Sequence, residues 1–237
     1  LVSDEEIGST SSRALTEKLA GECAAVVVME PAHGLRGAVK TSRKGVGEYA
    51  IRVQGRAAHA GLDFEKGQSA ILELARQILE LSRLVDLRRG ITLNVGKVMG
   101  GTRVNVVSAE AAAAVDVRVG TQADAEALAR RIAALKPVNP LCKLTVTGGL
   151  NRPPMERTPQ IANLYAKAAN IAQGLGFELE EASVGGGSDG NFTAALGLPT
   201  LDGLGAVGEG AHSPEESILL SELPRRAALV AGLLAGA

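Results

Sequence analysis

Residues 47–54 alternate apolar and polar, with Tyr49, Ile51 and Val53 on one face, and this period of two predicts a half-buried strand. Beyond it Ile71, Leu74, Ala75, Ile78 and Leu79 recur at the spacing of a single helical face. Two further strand patterns, 91–98 and about 112–119, lead into Thr121-x-x-Asp124, a capping-box start for a helix ending near Lys136. A last short strand at 144–147 closes the set. The order β-α-β-β-α-β across residues 38–151 is that of a ferredoxin-like α+β unit, an antiparallel sheet with two helices on one face.

The flanks have a different texture. Residues 11–19 read as a short helix, and 24–29 form an apolar, β-branched run of the kind found in buried parallel strands, ended by Glu30-Pro31. After residue 151, Thr158 as N-cap and Pro159 at the first helical position begin a helix with Ile161, Leu164, Tyr165 and Ala168 on one face, which Gly174 terminates. There follow a short strand near 177–180, a glycine loop at 185–190, a helix up to Gly197, a strand-like segment after Pro199 and a closing helix from Ser221. The pattern predicts an α/β domain made of residues 1–37 and 152–237, with the small α+β domain inserted at 38–151. In such layers ligands gather at the carboxyl ends of strands.

The 237 residues are 46% hydrophobic with a formal net charge of −1, enough apolar material for one large core or two small ones. Balanced charge and 2% aromatic content lend no support to a nucleic-acid partner. No apolar run reaches the roughly 18 residues that span a bilayer, so no membrane partner is expected and the chain is placed in the cytoplasm. Cys23 and Cys142, far apart and without a C-x-x-C partner, read as buried thiols rather than a disulfide framework.

Candidate chemistry begins at Asp4-Glu5-Glu6, three consecutive carboxylates that need a cation, a metal or hydrogen-bond donors to remain anionic together. A solvated acidic turn is the plain alternative. Glu5, Glu6, Glu30 and His212 are ligand types at strand ends or loops of one α/β layer, and that set suits zinc with a carboxylate left over as a proton acceptor. His33 reads as surface loop. Gly185 to Gly190 satisfies G-x-G-x-x-G before a helix, which raises nucleotide binding, but no acidic residue stands about 20 positions on within a βαβ unit. The same glycines also permit close backbone approach to a substrate. His59, flanked by alanines and glycines, is an accessible donor that could stabilise an oxyanion or merely sit in a loop. Arg103, Arg118 and Arg152 could each bind a carboxylate or form surface ion pairs.

Six motifs in order, Asp4-Glu5-Glu6-Ile7-Gly8-Ser9, Met29-Glu30-Pro31, Gly55-Arg56-Ala57-Ala58-His59-Ala60-Gly61, Gly101-Thr102-Arg103-Val104-Asn105-Val106-Val107, Gly185-Gly186-Gly187-Ser188-Asp189 and Gly210-Ala211-His212-Ser213, resemble the M20 family of metallopeptidases. The likeness is nearest to its glutamate carboxypeptidase and acetylornithine deacetylase branch. It implies a pair of zinc ions hydrolysing a peptide or N-acyl amide next to a free carboxylate, with the inserted domain acting as a lid and dimerising the enzyme. By position, Glu5 matches the general base, Glu6 and Glu30 ligands of the two zincs, and His212 the late histidine ligand. His59 matches the lid histidine that reaches the partner subunit's active site. Asn105 and Arg152 match positions holding the substrate carboxylate, Arg118 resembles a lid arginine, and Gly186 and Gly187 would line the substrate pocket.

The family's His-x-Asp motif and bridging aspartate precede the acidic turn by a long stretch and have no counterpart in these residues. The expectation is therefore a catalytic domain lacking its N-terminal part, inactive alone, or a non-catalytic dimerising or regulatory remnant.

Overall fold

The alternating segment becomes the strand Gly45–Gln54, in which Tyr49, Ile51 and Val53 are buried while Arg52 and Gln54 face solvent. The computed structural model of the chain describes residues 2–236, and these separate into two units, residues 2–45 with 152–236 and residues 46–151.

In the 46–151 unit a four-stranded sheet runs in the order Thr92–Gly100, Glu110–Val119, Gly45–Gln54, Lys143–Arg152, the first two antiparallel. The helices Ala70–Ser82 and Gln122–Ala133 pack on Glu110–Val119 and share one core with the sheet. Leu74 and Leu81 from the first helix and Leu128 and Ile132 from the second meet Ile51, Val115 and Val117 there. Each such fully buried aliphatic side chain stabilises the fold by about 1.5–3 kcal/mol. Ser69 and Thr121 cap the two helices by accepting from the amides of Leu72 and Asp124. The second helix stops at Ala133, short of the expected Lys136, because Pro137 disfavours helical geometry in the residue before it.

The other unit is α/β in character. Val26–Val27 pairs in parallel with Thr200–Leu201, and Val39–Arg43 in parallel with Glu181–Val184. The helices Pro159–Gly174 and Leu223–Ala235 pack together over Val39, Leu201 and Leu204, burying Ala168, Ala172 and Leu229. Thr158 caps the former, with its hydroxyl accepting from the Ile161 amide at 3.3 Å. The unit boundary falls at 45/46 rather than 37/38, since Val39–Arg43 finds its strand partner at 181–184.

Three local expectations are corrected. The run 24–29 yields strand only at Val26–Val27, matching the two-residue length of its partner. The strand expected at 177–180 forms at Glu181–Val184 instead: the Phe177 amide still donates to the Ala172 carbonyl of the preceding helix, and Gly176 turns the chain at φ 85°. Cys23 is exposed, not buried, because it follows the helix Arg13–Ala20, in which Ala20 is the buried position. Cys142 is buried, and burial pushes its thiol up.

Candidate active site

The acidic turn folds as a single 3-10 turn, Glu5–Ile7, closed by Gly8 at φ 99°, whose amide donates to the Glu5 carbonyl. Asp4 is spent on the turn itself: the Ser11 amide and hydroxyl each donate to its Oδ2 at 2.7 Å. The Ser12 and Ser11 side chains hold its carboxyl well below the usual carboxylate range. Glu5 and Glu6 then diverge. Glu6 is exposed, with its Oε2 3.9 Å from His212 Nε2. Glu5 turns inward, where Arg152 Nη2 donates to its Oε1 at 2.8 Å and to its carbonyl at 2.9 Å. Burial pushes the Glu5 carboxyl up, Arg152 opposes this, and Glu30, Asp189 and Glu6 add to the rise.

His212 is presented by a hairpin in which Gly208–Glu209 pairs antiparallel with Ser217–Ile218. A side chain at Gly208 would meet the Ser217 carbonyl at 2.0 Å, so glycine is obligatory for this closure. Gly210 at φ 77° and His212 itself at φ 65° turn the loop. Glu6, Glu30, Lys40, Arg43, Gly186, Gly187 and His212 all line one cleft of about 450 Å³ in this unit. Glu30 is half-buried there, and burial, followed by the Asp202 charge, pushes its carboxyl up.

Beneath the cleft Arg43 and Asp202 form a buried two-pronged pair: Nε donates to Oδ2 at 2.8 Å and Nη2 to Oδ1 at 2.9 Å. Arg43 Nη1 also donates to the Gly186 carbonyl at 2.9 Å, and Ser188 Oγ donates to Asp202 Oδ2 at 2.5 Å. The glycine loop is thereby fastened to the sheet. Gly190 is glycine because a Cβ would stand 2.8 Å from Asp202 Oδ2, which gives the G-x-G-x-x-G spacing a packing cause. Arg43 and Asp202, 159 positions apart, carry no signal in the sequence that they meet. Lys40 is half-buried at the cleft on the strand Val39–Arg43, with its ammonium pushed down by burial and by Arg43.

In the 46–151 unit, His59 and Asn105 come together. Ala58–His59 pairs with Val106–Val107, and the Ala60 amide donates to the Asn105 carbonyl at 2.9 Å. His59 is exposed, and its Nδ1 accepts from the Gly61 amide at 3.1 Å, which leaves Nε2 as the N–H of the neutral ring. Arg118 is half-buried beside Asp116 at 3.1 Å, and Arg103 is exposed.

Among the described residues no group of three or more His, Cys, Asp or Glu side chains is close enough to hold a metal ion by itself. An imidazole with two carboxylates is nonetheless a donor set that zinc accepts, and it lines a cleft where burial, the Asp202 charge and, least, the Glu6 charge push the Glu30 carboxyl up.

Residues 41–136 match the family described as a peptidase dimerisation domain. Carboxypeptidase G2 of Pseudomonas sp. (strain RS-16) is 29% identical over 237 residues, covering 98% of this chain and 57% of that protein. Succinyl-diaminopimelate desuccinylase of Dechloromonas aromatica is 28% identical over 203 residues, covering 83% and 52% respectively. Among solved structures, the aminopeptidase PepT of Bacillus cereus superposes with a TM-score of 0.82 at 24% identity, covering 97% of this chain and 61% of the other. The chain thus spans less than two thirds of the length of each of these relatives.

Proposed function

Because the chain belongs to the M20 family of peptidases, we propose that it carries part of the active centre of a zinc-dependent enzyme hydrolysing an amide, peptide or N-acyl, next to a free carboxylate. The supporting observation is the division of labour on one turn, with Glu6 beside His212 and Glu5 turned onto Arg152.

Glu5 takes the proton of the attacking water. Its Oε1 is held by Arg152, so the atom that receives the proton is Oε2. Glu6, His212 and Glu30 would hold zinc, the remaining positions being filled by groups other than these. When bound, zinc supplies Lewis acidity toward the scissile carbonyl. His59, acting in the active site of the partner subunit, donates through its Nε2–H to the oxyanion there, and Asn105 next to it contacts the substrate. Lys40 supplies positive charge to the cleft for the substrate's carboxylate, with the Gly186 and Gly187 backbone allowing close approach. Arg118 completes the set on the 46–151 unit. The enzyme is a homodimer through that unit, in keeping with the dimerisation-domain match.

The test is Glu5→Gln in the active enzyme containing this chain, assayed on an N-acyl amino acid and on its ester-blocked counterpart. We expect kcat to fall by about 10²–10⁴-fold with bound zinc unchanged, and the blocked substrate to be turned over poorly. Undiminished kcat would remove Glu5 from the role of base.

A further inference from the structure

We propose that Arg43 is a positioning residue of the active centre: it holds the Gly186–Gly187 peptide so that the Gly187 N–H faces the cleft and donates to the substrate's carboxylate. The proposal rests on the reading of the cleft as that of an enzyme hydrolysing an amide next to a free carboxylate.

Arg43 is 4% exposed, Asp202 is fully buried, and each nitrogen of the guanidinium has an acceptor within the protein. Nε and Nη2 are taken by the two oxygens of Asp202, and Nη1 reaches out of that pair to the Gly186 carbonyl at 2.9 Å. A planar guanidinium paired on two nitrogens cannot turn, so the direction of its third donor is fixed. Among the described residues every peptide bond is trans, and in a trans peptide the C=O and the following N–H point in opposite directions. With the Gly186 carbonyl drawn inward onto Arg43, the Gly187 N–H is turned outward from a loop that lines the cleft.

The loop is anchored on the other side of Gly187 as well. The Ser188 amide donates to Asn191 Oδ1 at 2.9 Å and its hydroxyl to Asp202 Oδ2 at 2.5 Å, while Asn191 Nδ2 donates to the carbonyls of Lys44 at 3.1 Å and Pro153 at 2.7 Å. Between these anchors the Gly187 amide meets no acceptor among the described residues. A half-buried backbone N–H without a protein partner is one that water or a ligand must satisfy. The space over the loop is open too: a Cβ at Gly185 would meet nothing within 4 Å, and one at Gly186 only Arg43 Nη1 at 4.0 Å. The protein's own packing therefore does not require glycine at either position, whereas a ligand approaching the backbone does. Lys40, lining the same cleft, supplies the charge that draws a carboxylate to this donor.

Steady-state kinetics in the active enzyme containing this chain test this, on an N-acyl amino acid and on its ester-blocked counterpart, with zinc content and melting temperature measured in parallel. Arg43→Lys keeps a cation against Asp202 but, as a point charge, cannot also fix the Gly186 carbonyl. It should raise KM for the free acid about tenfold with kcat within about threefold and zinc content unchanged, the mark of a lost contact that ground state and transition state share. For the blocked substrate kcat/KM should move by less than about twofold, a selectivity that general loosening of the fold does not produce. Ser188→Ala frees the loop from Asp202 and leaves the Arg43 pair intact; it should act in the same direction, and combining the two should add little, since both release one loop. Should Arg43→Lys fail to fold, Ser188→Ala carries the same KM prediction. An unchanged KM, an equal loss on both substrates, or a fall in kcat with KM retained would overturn the proposal. Glu5→Gln separates the two levels: if it is inactive while Arg43→Lys leaves KM unchanged, only the positioning role fails, and if it is active, the reading of the site fails and the proposal with it.

Discussion

At the scale of single residues, the chain commits its buried charges to backbone as often as to other charges. Arg226 is buried with all three guanidinium nitrogens donating to carbonyls, those of Gly205, Gly37 and Gly203, and burial pushes its pKa down. Glu73 is the anionic counterpart in the 46–151 unit. Fully buried on the helix Ala70–Ser82, it accepts from the Val138 amide at 2.8 Å and the Asn139 amide at 2.9 Å, and from Gln77 Nε2 at 2.8 Å. Burial alone would push the carboxyl up, but these donors, with Arg76, outweigh it and hold its pKa below the ordinary value. An acid depressed in the folded state contributes stability above its unfolded pKa, about 4.3, and loses it as pH falls through the folded value. Glu73→Gln should therefore cost about 2–3 kcal/mol at pH 7 in urea denaturation, and the gap from the parent should close below about pH 4. A gap of constant size down to pH 3 would assign the whole cost to packing.

At the scale of elements, the caps and periodicities were legible because they are local. Thr121, Thr158 and Pro159 stand at their helix starts as the sequence predicts, and the β-α-β-β-α-β order of the inserted unit is the observed one. Strand lengths in the α/β unit were not legible, since Val26–Val27 and Glu181–Val184 extend only as far as partners distant in sequence allow. The candidate site divides the same way. Glu5, Glu6, Glu30 and His212 could be picked out by residue type and motif, whereas the Arg43–Asp202 pair and the ring through Ser9, Asp189 and Arg152 depend on tertiary geometry. The hairpin that bears His212 offers a sharp test. Gly208→Ala drives a methyl group into the Ser217 carbonyl and must open the Gly208–Glu209 to Ser217–Ile218 pairing. The expected result is a loss of about 1–3 kcal/mol and a smaller zinc-induced rise in melting temperature than the parent shows. An equal zinc-induced rise in both proteins would mean that the hairpin does not carry a metal ligand.

At the scale of the whole molecule, the sheet of the 46–151 unit has an edge that a monomer would leave open. Thr92–Gly100 is the terminal strand of that sheet and pairs only with Glu110–Val119 among the described residues. Val98 is 59% exposed and Met99 69% exposed along it. Unpaired backbone flanked by exposed apolar side chains is a template for a further strand, and natural edges usually carry charge or a bulge to prevent that. This edge does have an irregular register between Val95 and Lys97, yet the apolar pair lies beyond it, toward Gly100. A second copy of the chain using the same edge would satisfy both the backbone and the apolar surface with a twofold interface. Light scattering after size exclusion should therefore give about twice the 24.3 kDa chain mass. Val98→Lys combined with Met99→Glu should shift the protein toward the monomer while far-UV circular dichroism stays unchanged, because neither side chain contributes to the core that includes Ile51, Val115 and Ile132. A parent already monomeric at tens of micromolar would refute a dimer built on this edge, and a dimer insensitive to the double substitution would place the interface elsewhere.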